Sequence, residues 1–182
     1  PYEKGEEEDY DNELVKRLEH GELMHADSIH LPDSLMFKTK RLGRTVYGGG
    51  GIMPDRFIPA DTTDVTPWFI QVTGRNILYR YTMEYADRHR TQLNEIESLA
   101  ALQRLLDGDN RLVEDFLEYA RQKGVKPNRA QIARSRHLVE AQLRAYIGRN
   151  TTLEDNAFYY NIYPVDKVMR RAVEELKLQN ND

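Results

Sequence analysis

From Trp68 onward, apolar residues recur at three- and four-residue steps, the spacing that lays one stripe along an α-helix. Trp68 to Leu93 reads as one long amphipathic helix carrying Leu78, Tyr81 and Tyr85, with Gly74 as its weak point. Glu95 to Leu106 aligns Ile96, Leu99, Leu102 and Leu106, and a third stripe of Leu112, Val113, Phe116, Leu117 and Ala120 ends at Gly124 and Pro127. Asn128 with Gln131 has the form of a capping box, opening a helix with Ile132, Val139, Leu143, Tyr146 and Ile147 on one face. Thr152 with Asp155 starts a short helix containing Phe158 and Tyr159. Pro164, at a first helical position, opens the last, with Val165, Val168, Met169, Ala172, Val173 and Leu176. Residues 68–178 are thus a bundle of five or six helices without a repeat period.

The first third of the chain is patterned differently. An acid run, Glu6 to Asp9, precedes Leu14, Val15 and Leu18 at helical spacing, and Gly21 stops that short helix. Over residues 37–58, Thr45, Val46 and Tyr47 enter four successive glycines, Gly48 to Gly51, before Ile52 and Pro54 resume an extended course. The run sacrifices side-chain packing for backbone freedom, so the expectation is a strained turn or bulge with positive φ at some of the four. The predicted class is α+β, mainly α: a glycine-rich β-hairpin segment over 1–63, then a helical domain over 64–182. Trp68, Phe69 and Ile70 cluster where the two parts meet. They serve either to dock the helices onto the strand region or a second subunit, or as plain core.

One stretch carries a resemblance. Phe37 to Asp55, with Thr39, Gly43, Arg44, Val46, Gly48, Gly49, Gly50, Gly51, Ile52, Pro54 and Asp55, resembles the end of the catalytic core of carboxyl-terminal processing (tail-specific) serine proteases. The longer glycine run, and Lys40-Arg41-Leu42 in place of the usual Pro-Ser, resemble a Bacteroidetes-type branch of that family. Pro1 to Gly5 is similar to an insertion in the same branch, and the region of Phe158, Tyr159 and Asp166 more loosely to its helical carboxyl-terminal extension. The resemblance implies a non-catalytic portion of such a protease, completing its sheet and adding a helical extension. Its partners would be the PDZ and catalytic core and their peptide substrates, or a second copy, in a periplasmic or otherwise exported setting. It implies no cofactor, and it places the catalytic serine and lysine upstream of this segment. The reading from a different class is a standalone helical interaction module.

Other chemistries fit less well. A P-loop needs Lys-Ser or Lys-Thr after its glycines, whereas Ile-Met-Pro follows here and the next lysine is Lys123. His20, His25 and His30, with Glu22 and Asp27 nearby, invite a metal reading. A five-residue step turns about 140° around a helix, however, so the imidazoles would share no face. Tyr79, Tyr81 and Tyr85 among Arg80, Arg88 and Arg90 offer stacking and charge for a nucleic-acid strand, but Glu84 and Asp87 interrupt the patch. Arg129, Arg134 and Arg136 are read the same way, as a solvated face. The serines, Ser28, Ser34, Ser98 and Ser135, lie in no Gly-x-Ser-x-Gly elbow. A net charge of −4 disfavours a nucleic-acid binder, no stretch reaches the roughly 18 apolar residues of a membrane span, and the absence of cysteine removes thiolate chemistry.

Overall fold

A computed structural model describes residues 33–48 and 56–179, together with Asn12, Glu19 to Glu22, Met24, His25, Ser28 and Ile29. The short helix predicted at 3–20, His30 and Gly49 to Asp55 lie outside the described residues or almost wholly so. The chain divides into two compact units, 1–60 and 61–182. As expected, the class is α+β and mainly α, with one antiparallel hairpin and, among the described residues, eight α-helices.

In the first unit a 3-10 turn, Asp33–Leu35, leads into β1 (Met36–Lys38), which pairs with β2 (Thr45–Tyr47) in the register Met36 to Tyr47, Phe37 to Val46 and Lys38 to Thr45. The reversal that joins the two strands falls at Thr39–Arg44, ahead of the glycine run, while the turn or bulge expected at Gly48 to Gly51 lies almost wholly outside the described residues. Thr39 closes the reversal three ways: its N–H donates to the Arg44 carbonyl (2.9 Å), its carbonyl accepts from Gly43 (3.0 Å), and its Oγ1 accepts from the Arg44 N–H (3.0 Å). The positive φ belongs to Gly43 (62°) rather than to Gly48, the one described glycine of the run. Gly48 is instead packed closely. A Cβ there would meet the Phe37 ring at 2.9 Å, and its N–H donates to the Leu35 carbonyl at 2.7 Å.

In the second unit the helices are α1 (Pro67–Gly74), α2 (Ile77–Arg88), α3 (Arg90–Asn94), α4 (Leu99–Gly108), α5 (Leu112–Gln122), α6 (Arg129–Arg149), α7 (Asp155–Ile162) and α8 (Lys167–Gln179). The single helix predicted over 68–93 is three. Thr66 caps α1, accepting from the Phe69 N–H, and Pro67 takes the first turn, where a missing donor costs nothing. The chain then breaks at Asn76, which takes the left-handed conformation (φ 55°, ψ 22°) that asparagine tolerates better than most residues. Ser98, expected to lie inside a helix, instead caps α4 by accepting from the Ala101 N–H. Gly124 (φ 84°) ends α5 as expected. Its N–H reaches the Arg121 carbonyl and Val125 N–H the Ala120 carbonyl, and Val125 turns into the core. Pro164 sits before α8, whose first turn is capped by Asp166 accepting from the Met169 N–H at 2.9 Å.

α6, the longest helix, runs through the middle of this unit against α1, α2, α5 and α7. Phe116, Leu78, Leu93, Leu102, Leu106, Leu143 and Ile147 are all but fully buried around it, each contributing about 1.5–3 kcal/mol of burial. Trp68 and Phe69 belong to this same core, and Trp68 meets Phe116 edge-on at 6.2 Å, so core and not docking is their role. Ile70 points outward, 56% exposed.

The Asn128–Gln131 box forms by half. Asn128 Oδ1 accepts from the Gln131 N–H (3.1 Å), but the glutamine side chain turns to α1 and accepts the Trp68 N–H at 2.9 Å. Ser135, inside the α6 stripe, is fully buried in a relay. Phe69 N–H donates to Thr66 Oγ1, the Thr66 and Ser135 hydroxyls are 2.8 Å apart, and Ser135 donates to the Asp64 carbonyl at 2.6 Å. Asp61, three residues before Asp64, ties the start of the unit to α8, 2.7 Å from Lys167 Nζ. The hydrogen bond from Lys167, aided by Thr63, holds the Asp61 carboxyl down at about 2. The contribution of this pair is therefore complete above the ordinary carboxylate range and is lost as pH falls through about 2. Lys167→Ala should move the Asp61 midpoint up toward about 3.9, read by carboxyl NMR titration, and an unmoved midpoint would remove Lys167 as the cause.

Candidate functional site

A concavity of the helical unit, about 870 Å³, lies where the end of α2 and α3 face the α4–α5 turn. The turn is built by Asp109. Its Oδ1 accepts from the Arg111 N–H (3.1 Å), its carbonyl accepts from Leu112, and its Oδ2 takes the Tyr85 hydroxyl at 3.0 Å. Tyr81 reaches from the preceding turn of α2 to the Leu112 carbonyl (3.4 Å), so two phenols tie α2 to the start of α5. Burial, with Asp115 nearby, pushes Tyr81 up to about 12, and burial with the Asp109 hydrogen bond raises Tyr85 as well. Both phenols remain protonated donors at neutral pH and are not available as bases.

His89 forms the corner between α2 and α3. Its ring stacks on Tyr85 (4.1 Å, 22°), and its Nδ1 lies 2.9 Å from the Tyr85 carbonyl, which fixes the proton on Nδ1 and leaves Nε2 as the unspent nitrogen. Arg88, Arg104 and Arg111 bring three guanidinium groups to the walls, and Gln92 and Asn110 bring amides. Arg111 is committed to Asp115 at 3.0 Å. Arg88 borders the neutral Tyr81 hydroxyl, and among the described residues neither Arg88 nor Arg104 forms an ion pair. Sequence patterning singled out Tyr81, Tyr85 and Arg88 but missed Arg104 and Asp109. The available signal was Asp107-Gly108-Asp109-Asn110, a run of turn formers between two helical stripes.

The other sequence candidates do not converge on this cleft. Thr39, Gly43, Arg44, Val46 and Gly48 line up in the hairpin, while Gly49, Gly50, Gly51, Ile52, Pro54 and Asp55 lie outside the described residues. His20 and His25 flank the Gly21 turn, and no group of three or more His, Cys, Asp or Glu is placed to hold a metal among the described residues. Three of the six arginines weighed for a nucleic-acid face are spent on carboxylates: Arg90 on Asp87 (2.8 Å), Arg136 on Glu114 (2.8 Å) and Arg134 on Asp64 (3.4 Å). Ser135, His137 and Asp64 lie close together, but His137 Nε2 faces the Asp64 carboxylate (3.4 Å) while Ser135 donates to the Asp64 backbone. The buried Ser135 hydroxyl is thus a structural clamp, with no base to activate it.

No helix among the described residues is long and apolar enough to cross a membrane. Neither a curated protein nor a solved structure matches the chain. Residues 68–152, from α1 to the turn before α7, match the model of a family described as a family of unknown function, DUF8443.

Proposed function

We propose that this chain is a non-catalytic portion of a tail-specific serine endopeptidase, with the hairpin belonging to the protease sheet and the helical unit acting through contacts. The observation that carries this reading is the hairpin. Part of the tail-specific resemblance lies in it, and among the described residues it is a ribbon of two three-residue strands. Met36, Phe37 and Val46 stay 45%, 57% and 40% exposed on it. A two-stranded ribbon is marginally stable alone, and its open edges and apolar side chains suit extension by further strands. The family match lies wholly within the helical unit, which favours that unit as a separable module.

The chain by itself is expected to cleave no peptide bond in an unfolded protein substrate. Antibodies against the helical unit should deplete a chelator-resistant proteolytic activity from an extract of the source cells. Turnover by the isolated chain, lost on replacing one of its four serines, would overturn the non-catalytic assignment. An undepleted extract would overturn the link to a protease.

A further inference from the structure

The cleft between α2–α3 and the α4–α5 turn is not used by the protease reading and stands apart from it. We propose that it is a binding site for a monocarboxylate, gripped between the guanidinium groups of Arg88 and Arg104. Three arginines and two aspartates line it, a surplus of one formal positive charge among these five groups. The internal partners account for the rest. Arg111 is neutralised by Asp115, and Asp109 is held by the Tyr85 hydroxyl and the Arg111 N–H. Arg88 and Arg104 thus remain as cations on the walls of a concavity whose volume falls in the range of small-molecule sites.

The single surplus charge selects the ligand class. A carboxylate accepts planar, charge-assisted hydrogen bonds from guanidinium and brings one negative charge. A dianionic phosphate would bring a second charge toward Asp109 and Asp115, where like charges repel. The Tyr85–His89 stack and Leu105 supply an apolar surface for the body of the ligand, while Gln92 and Asn110 can pair with a neighbouring amide. The source of the carboxylate is either the free carboxyl terminus of a peptide or a small organic acid.

The test is a two-dimensional NMR titration of the full 182-residue chain. The probes are an N-acetylated tetra-alanine peptide as free acid, the same peptide as amide, benzoate and inorganic phosphate. Saturable shifts at Arg88, His89 and Arg104 with the free acid or benzoate are expected. Whichever carboxylate binds more tightly identifies the source. Arg88→Gln and Arg104→Gln should each weaken binding by about tenfold or more, since each removes a charge-assisted contact. Both side chains are exposed, and Arg121→Gln, which breaks only the surface pair with Glu118, serves as the variant that keeps full binding. The proposal is overturned if the amide binds as well as the acid or phosphate binds more tightly than either carboxylate. It is equally overturned if both arginine variants bind like the parent, or if no probe shifts the cleft up to about 20 mM.

Discussion

Replacing Phe116 with alanine will destabilise the helical unit by about 3–5 kcal/mol, the range for truncating a buried aromatic. Phe116 is 0% exposed on α5 and lies under both Trp68 of α1 and Tyr81 of α2, at 6.2 and 5.5 Å between ring centres. Its removal opens a cavity and also cancels two edge-to-face contacts, each worth about 0.5–1.5 kcal/mol beyond burial. Against a whole stability of about 5–15 kcal/mol, that loss is most of the margin for a domain at the lower end. Thermal unfolding of residues 61–182 followed by far-ultraviolet circular dichroism is expected to shift down by roughly 10–20 °C. A shift of only a degree or two would mean that the three rings do not form one packed unit. Phe116→Leu, which keeps most of the volume, should recover much of the loss.

Gly148→Ala should also destabilise, against the usual rule. Inside a helix, alanine is normally about 1 kcal/mol better than glycine. Gly148 lies in the last turn of α6, where a Cβ would meet Ala157 Cβ at 2.9 Å and Leu102 Cδ2 at 3.0 Å. The Ala157 methyl has no rotamer through which to yield, so α7 must move away from α6 and the Thr151 bond to the Gly148 carbonyl is disturbed. Overpacking of this kind costs about 1–3 kcal/mol, enough to reverse the propensity gain. Denaturant midpoints of the parent and variant decide the sign. A more stable variant would show that the α6–α7 contact is looser than the structure has it.

Helical spacing marks the core of this fold better than it marks the turns. Leu102, Leu106, Phe116, Val139, Leu143 and Ile147 were all identified by helical spacing, and each is buried. The breaks within 68–93 were not, because the apolar stripe carries on through Asn76 and His89 while the backbone turns. Periodicity registers which side is apolar and does not register a change of axis. The turn between the two strands was not anticipated for a related reason. The hydrogen bonds of Thr39 and the positive φ of Gly43 form it, and neither residue stands out in a pattern dominated by four successive glycines.

The candidate cleft was only partly legible. Tyr81, Tyr85 and Arg88 are close in sequence, so their pattern stood out, whereas Arg104, Asp109 and Arg111 come from another helix pair. Ser135 and Gln131 are the clearest contrast. Each has an ordinary local role in sequence, and each is used instead by a segment more than sixty residues earlier. The amino-acid order by itself determined the mainly helical class, the apolar faces, and the caps at Asn128 and Gly124, because those depend on spacings within a turn or two of backbone. Only the tertiary structure decided which faces meet, which polar groups become partners and which arginines are left without a carboxylate. Those outcomes depend on groups distant in sequence that packing brings together, and no local pattern encodes them.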